Sequence, residues 1–234
     1  MSAKKIKELK RKNNEADKRL NKENNLVMTD IVCYIRGANL SEYRQEVIRE
    51  DLLDMTLSAQ ERDESIRTVI GEDYKIFCDE VIASLPQMSK KERLLNVFDT
   101  ILLCFAILGA INIVLSLDTI NLIRDLIAGR QPHFQISFSV GNFVSFGLII
   151  AASFLIVEVI CKTSLKEKKE QKMSGPKRFM VGGAIGAGVM AFFLVIAWFG
   201  RRTLFQADLF AVCLAVAGIY LAHRLLRHHL LSLN

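Results

Sequence analysis

The distribution of hydrophobic and polar residues divides the chain near residue 93. Residues 1–93 are polar and rich in charge, whereas residues 94–234 consist of apolar runs separated by short charged breaks. Four of these runs have the length of a membrane-spanning helix, at about residues 94–117, 136–160, 179–200 and 204–222. Because ~20 apolar residues in a helix cross a bilayer core of ~30 Å, the pattern predicts a four-helix transmembrane domain.

The third run, Phe179–Gly200, carries no charge over 22 residues. As a helix it measures about 33 Å, which is enough to cross the bilayer core. Four glycines lie in its first half: Gly182, Gly183, Gly186 and Gly188. Gly182 and Gly186 form a GxxxG pattern, which lets another helix approach closely. The pattern predicts a packing seam, either within this chain or in a homo-oligomer formed through the third span.

Polar side chains are rare in these runs, and four of them are candidate intramembrane or interfacial residues: Asp99, Asn112, Glu158 and Asp208. Asp99 is expected near the headgroup level, where it either pairs or, facing inward, has a function. Asn112 lies deeper and is expected to hydrogen-bond a neighbouring helix. Glu158 is spaced to pair with Lys162, and Asp208 is expected to pair with one of the two arginines just before the fourth run.

The positions of the basic residues predict how the chain is oriented. Residues 162–178 contain seven Lys or Arg and two Glu, so the positive-inside rule places this loop in the cytosol. The predicted protein is then a multi-pass cell-membrane protein with both termini cytoplasmic. An alternative with three spans omits the fourth run and places the C-terminus outside. Residues 118–129 are predicted to form an amphipathic helix at the outer interface.

Two further regions precede the membrane domain of residues 89–234, whose first helix is predicted to begin with a capping box formed by Ser89 and Glu92. Residues 1–25 contain nine Lys or Arg but few apolar side chains, which predicts a basic, partly disordered arm, either solvated or held against anionic lipid. Residues 26–88 predict a soluble bundle of four short helices. The second begins after Ser41, and the third lies between Ser65 and Gly71. The predicted fold class is therefore all-α.

The soluble module is acidic, since residues 26–86 contain thirteen Asp or Glu against six Arg or Lys. This charge predicts either a docking face for a basic cytosolic partner or an ordinary solvated surface. The net charge of the whole chain is +6, but it is concentrated in the arm and the basic loop, and no nucleic-acid partner is expected.

No metal, cofactor or catalytic site is predicted from the sequence. The five cysteines show no CxxC spacing and are interpreted as small apolar side chains. Three histidines lie near the C-terminus, at positions 223, 228 and 229. Two of them are adjacent and therefore point in different directions on a helix, which favours a basic, lipid-facing tail over a metal site.

The soluble module resembles the helical modules of uncharacterised bacterial membrane proteins that are often encoded beside PadR-type transcription regulators. The resemblance rests on Tyr34–Arg36 before a break, a long acidic helix, the turn Val69–Gly71 and an aromatic-containing helix that leads toward a membrane segment. It covers residues 26–86, about a quarter of the chain. It implies a membrane-tethered sensing or regulatory role and no active-site residue.

Three classes of function can be compared with this organisation of a polar N-terminal part and an apolar C-terminal part. The favoured one is a non-enzymatic, membrane-anchored regulatory or sensory protein in which residues 26–86 bind a partner. The alternative is an accessory subunit of a transporter or a small oligomeric channel. An intramembrane enzyme is disfavoured, because the sequence contains neither a nucleophile with its base nor an HExxH pattern.

Overall fold

The structure is a computed structural model that describes residues 3–71, 73–165, 175–200 and 202–233. Within these ranges, the side chains of several residues are left undescribed: 3, 175–179, 181, 182, 185, 197, 232 and 233. Most of the predicted basic loop and Arg201 lie outside the described residues.

Helices make up most of the described chain. The first five lie in the N-terminal part: α1 Ala3–Asp17, α2 Lys22–Arg36, α3 Glu42–Glu61, α4 Ile66–Ile70 and α5 Tyr74–Ser84. The other elements follow in the order α6 Lys90–Leu115, α7 Leu117–Ile127, β1 Gln135–Ser139, α8 Val140–Thr163, α9 Gly175–Phe199, β2 Thr203–Asp208 and α10 Leu209–Leu233.

The described residues form two compact units. The first contains residues 1–97, 154–167 and 226–234, and the second contains residues 98–153 and 168–225. The boundary therefore differs from the predicted division at residue 88, because the first unit also includes parts of α6, α8 and α10.

The core of the first unit is built by α2–α5, whose apolar side chains recur at helical spacing. Its buried members are Met28, Ile31, Ile35, Leu40, Ile48, Leu52, Leu53, Ile66, Ile70 and Cys78. The predicted helix ends are largely correct. Ser65 accepts a hydrogen bond from the backbone of Arg67, and Gly71 ends α4 at a φ of 83°, a conformation that favours glycine. Ser41 precedes α3 as predicted, although its side chain makes no capping bond.

The N-terminal arm differs from its prediction. Residues 3–17 form a helix that packs on α3, and the side chains of Ile6 and Asn13 are buried. The sequence contained few apolar residues to predict this contact. Polar bonds supplement the apolar contact instead, since Asn13 donates to the backbone carbonyl of Glu46 at 2.8 Å and to its carboxylate at 2.9 Å.

The second unit contains a two-stranded antiparallel sheet, which corrects the all-α prediction. β1 pairs with β2 from Gln135 opposite Asp208 to Ser139 opposite Thr203. Residues 136–139 and 204–208, which the hydrophobic pattern predicts as the starts of spans, form these strands instead. Pairing satisfies the backbone polar groups along the facing edges of the two strands, and Phe138 stacks on Phe205 with ring centroids 5.2 Å apart.

Three helical segments are long and apolar enough to cross a membrane: Lys90–Ile127, Val140–Thr163 and Leu209–Leu231. Three of the four predicted runs are therefore candidate spans, and the last run, which the three-span alternative omits, is among them. In α9, the stretch Gly186–Ile196 is a shorter apolar helix among the described residues.

The helix ends beside the first span follow the predicted chemistry. The backbone N–H of Glu92 donates to the Ser89 hydroxyl at 3.2 Å, and the Glu92 carboxylate accepts from the backbone of Ser89 at 2.7 Å. This reciprocal pair is a capping box. The short helix α7 also forms where the amphipathic helix was predicted, and its apolar residues Ile120, Ile123 and Leu126 are exposed.

We expect the core of the first unit to be sensitive to a cavity at Leu53, which is 1% exposed. Leu53→Ala should lower the local stability of α2 and α3 by ~2–5 kcal/mol, because buried leucine-to-alanine changes leave a cavity. Hydrogen exchange of the full-length protein in detergent measures this as faster exchange of the amides in both helices.

Leu26→Ala is the matched control, since Leu26 is 62% exposed. Its effect should stay within ~0.5 kcal/mol. Equal exchange rates for the two variants would contradict this description of the core.

Candidate functional site

A groove lies between α3 and α5 on the surface of the first unit. Its volume is about 420 Å³, within the range of ~300–1,000 Å³ typical of binding pockets. Its apolar side chains are those of Tyr43, Val47, Leu52, Met55, Phe77, Val81 and Leu85. Met55 is 39% exposed, so part of this apolar lining is open to a partner.

The rim of this α3–α5 groove is mainly acidic. Asp51 lines the groove directly. Glu80 is exposed and lies three residues after the lining residue Phe77, on the same side of α5. The basic side chain at the rim, Arg44, donates to the backbone carbonyl of Pro86. The groove therefore presents apolar surface edged by negative charge.

On the side of α3 away from the groove, buried charged side chains hold the helix in place. Glu46 is 4% exposed and Arg49 is 7% exposed. Arg49 donates to the carboxylate of Asp17 on α1 at 2.7 Å and lies 3.4 Å from the Glu46 carboxylate. Glu42 accepts from Lys10 on α1 and from Arg227 near the end of α10. Breaking such a buried pair leaves an uncompensated charge, so these contacts fix the position of α3.

A second polar cluster fixes α5. The Tyr34 hydroxyl on α2 donates to Asp79 at 2.6 Å, and Lys75 donates to the other carboxylate oxygen at 2.6 Å. These hydrogen bonds, first from Lys75 and then from Tyr34, hold the pKa of Asp79 below its ordinary value. Since α5 is bound to the core through this cluster and through buried Cys78, the groove has two fixed walls.

The cysteine interpretation agrees with the structure where it can be compared. All five cysteines are free. Burial, and secondarily the neighbouring Asp79, raises the pKa of the Cys78 thiol to about 12. A thiol in that state is protonated at neutral pH and is a weak nucleophile.

In the second unit, Asp99 on α6 contacts His223 on α10. The Asp99 carboxylate oxygen Oδ1 lies 2.8 Å from Nδ1 of His223, and that nitrogen also lies 3.3 Å from the Asp99 carbonyl oxygen. Asp99 is only 2% exposed. Of the two roles expected for Asp99, pairing is the one observed. The partner was missed, because His223 was interpreted as part of a lipid-facing tail.

The other polar residues predicted from the sequence lie apart from this pair. The Lys162 ammonium donates to Glu158 at 2.5 Å, as its spacing predicted. Asp208 caps α10 by accepting the backbone N–H groups of Phe210 and Ala211 at 2.9 and 3.2 Å. Among the described residues, the buried amide oxygen of Asn112 has no hydrogen-bond partner, so its expected interhelical bond is not observed.

The glycines of the predicted seam contact no other helix in this chain where they are described. A side-chain carbon at Gly183, Gly186 or Gly188 would have no heavy atom within 4 Å, and the surroundings of Gly182 lie outside the description. The close approach occurs elsewhere: a side-chain carbon on Gly200 would come within 2.4 Å of the Gly141 backbone. Gly141 and Gly200 therefore allow the chain segments beside the sheet to touch.

Within the part of the chain that the structure describes, no group of three or more His, Cys, Asp or Glu side chains is placed to hold a metal ion. His228 and His229 are both exposed. No family model, curated protein or solved structure matches this protein. The resemblance of residues 26–86 to PadR-associated membrane proteins therefore stays a prediction.

We predict that Asp99 and His223 are energetically coupled. Asp99→Ala and His223→Ala should each lower the free energy of unfolding, because each removes one side of a contact at which Asp99 is buried. The double variant should lose less than the sum, with a coupling energy of ~0.5–3 kcal/mol. Unfolding of the full-length protein in mixed micelles, followed by circular dichroism, gives all three values.

Asp208→Ala combined with His223→Ala is the control. Asp208 immediately precedes α10 and His223 lies fifteen positions further on, about 22 Å along the helix, so their effects should add. If the two single variants' losses in the free energy of unfolding add in the Asp99 and His223 double variant, the observed contact does not contribute to stability.

Proposed function

We propose that this protein is a membrane-anchored regulatory protein whose α3–α5 groove binds an amphipathic helix of a cytosolic partner. The observation that carries the proposal is the groove itself, an apolar surface with two fixed walls and an acidic rim. Helices bind such grooves through apolar side chains at i, i+3, i+4 and i+7. The acidic rim favours a partner helix flanked by Lys or Arg, since complementary charge speeds and orients association.

The membrane part of the proposal has four spans with both termini cytoplasmic. The three candidate spans support it directly. We assign the fourth crossing to α9, a helix of 25 residues whose segment Phe179–Gly200 carries no charge. The basic residues of the segment that precedes α9 support a cytoplasmic location for that loop.

The proposed role is regulatory or sensory rather than enzymatic. It is supported by the location of the groove on α3 and α5, outside the candidate spans, and by the resemblance of residues 26–86 to modules encoded beside PadR-type regulators. In this role, the spans hold the groove at the membrane surface, where a captured partner gains proximity to the bilayer.

We predict that a photocrosslinking amino acid at position 55 of the full-length chain captures a discrete protein in the native host. The crosslinked peptide should be an amphipathic helix with basic flanks, because that chemistry matches the groove. Replacing Asp51 by Asn and Glu80 by Gln should reduce the yield several-fold and weaken its dependence on salt, since rim charges mainly affect association. Mass spectrometry of the adduct measures yield and sequence.

Position 76 provides the control, because Ile76 is 57% exposed on α5 and does not line the groove. The crosslinker there should not capture this protein. Equal capture from both positions, or adducts at position 55 that contain only lipid, would contradict the proposal.

A further inference from the structure

A second groove runs between α6 and α10 in the second unit. Its volume is about 490 Å³, and its walls include Ala106, Ala110, Val114, Cys213, Ala217 and Tyr220. All of the lining side chains are apolar apart from the Cys213 thiol and the Tyr220 hydroxyl. Both helices belong to candidate membrane spans, so in a bilayer this α6–α10 groove faces lipid rather than water.

Two contacts fix the helix pair that forms this groove. At Gly109 the backbone of α6 comes so close to α10 that a side-chain carbon would lie 2.9 Å from a methyl group of Val216. Toward the end of α10, Asp99 contacts His223 at 2.8 Å. The α6–α10 groove is therefore a preformed cleft between two helices that are held together at two separate levels.

A positively charged residue, Arg224, lies on α10 beyond one end of the groove. On α10 the residues Cys213, Ala217, Tyr220 and Arg224 follow one another at intervals of four, three and four, so they lie on one face of the helix. Arg224 is exposed. An arginine offers a planar pair of donors that matches a phosphate group, and a tyrosine is suited to the boundary between apolar and polar layers.

We propose that the α6–α10 groove is a binding site for an anionic phospholipid. One acyl chain lies along the alanine-lined cleft, and the headgroup phosphate is bound by the Arg224 guanidinium. The charge of Arg224 beyond the end of the groove and the apolar lining both indicate this occupant. An apolar cleft exposed to hydrocarbon is filled by acyl chains, and the arginine selects the lipids that carry negative charge.

The test measures the lipids that the full-length protein retains from nanodiscs of equal parts phosphatidylglycerol and phosphatidylcholine, by native mass spectrometry. The wild-type protein should retain phosphatidylglycerol in preference to phosphatidylcholine. Arg224→Gln should lower that preference about fivefold, the factor expected for one basic side chain at an anionic surface. Ala217→Leu should reduce retention of both lipids, because the added side chain fills the cleft.

Two control variants separate this site from general effects. Lys91→Gln removes an exposed positive charge at the start of α6, and Ala152→Leu adds the same side chain on an exposed position of α8. Both should behave as the wild-type protein does. Because neither Arg224 nor Ala217 is buried, loss of folding does not account for their effects, and circular dichroism of each variant checks this.

Three results would overturn the proposal. The first is equal retention of the two lipids by the wild-type protein, which would mean that the groove holds bulk lipid only. The second is unchanged retention in Arg224→Gln or Ala217→Leu. The third is a dimer in the same spectra that Ala217→Leu converts to a monomer, which would assign the groove to a second copy of the chain.

Discussion

The absence of water from the bilayer core is the constraint on which the rest of this structure depends. Backbone polar groups in that layer must be satisfied within the protein, so the crossing segments are helices. Large apolar side chains are exposed along the three candidate spans, including Leu115, Leu155 and Leu214 at 68%, 63% and 74%. In each of the three candidate spans, at most 6% of the most apolar 18-residue window is buried within the chain. Such surfaces are stable only where lipid covers them.

Polar groups at the membrane domain are accommodated by pairing. Asp99 is buried but contacts His223, and the segments before α8 and α10 pair their facing backbone edges as β1 and β2. The pair and the close approach at Gly109 leave a cleft between α6 and α10, which is why a lipid site arises there. The first unit follows a different rule. Its buried charges lock α3 against α1, so the opposite face of α3 is free to form one wall of an apolar groove.

Local rules account for the parts of the fold that the sequence predicts. The capping box at Ser89 and Glu92, the turn at Gly71 and the amphipathic helix α7 each depend on residues a few positions apart, and all three form as expected. The contact of Asp99 with His223, the sheet and the docking of α1 join residues distant in sequence, which periodicity does not reveal. Neither groove is predicted from the sequence, because each depends on the distance between two helices. The predicted glycine seam has the right spacing, but its described members face open space in a single chain.

The central claim is that α6, α8 and α10 are dissolved in lipid, and alkaline carbonate extraction of membranes that contain the full-length chain tests it most directly. High pH strips proteins held by surface charge or by protein contacts, whereas helices embedded in hydrocarbon remain with the bilayer. The account predicts that the protein stays in the membrane pellet and is released only by detergent. Recovery of the protein in the aqueous supernatant would contradict the account, together with the functions proposed from it.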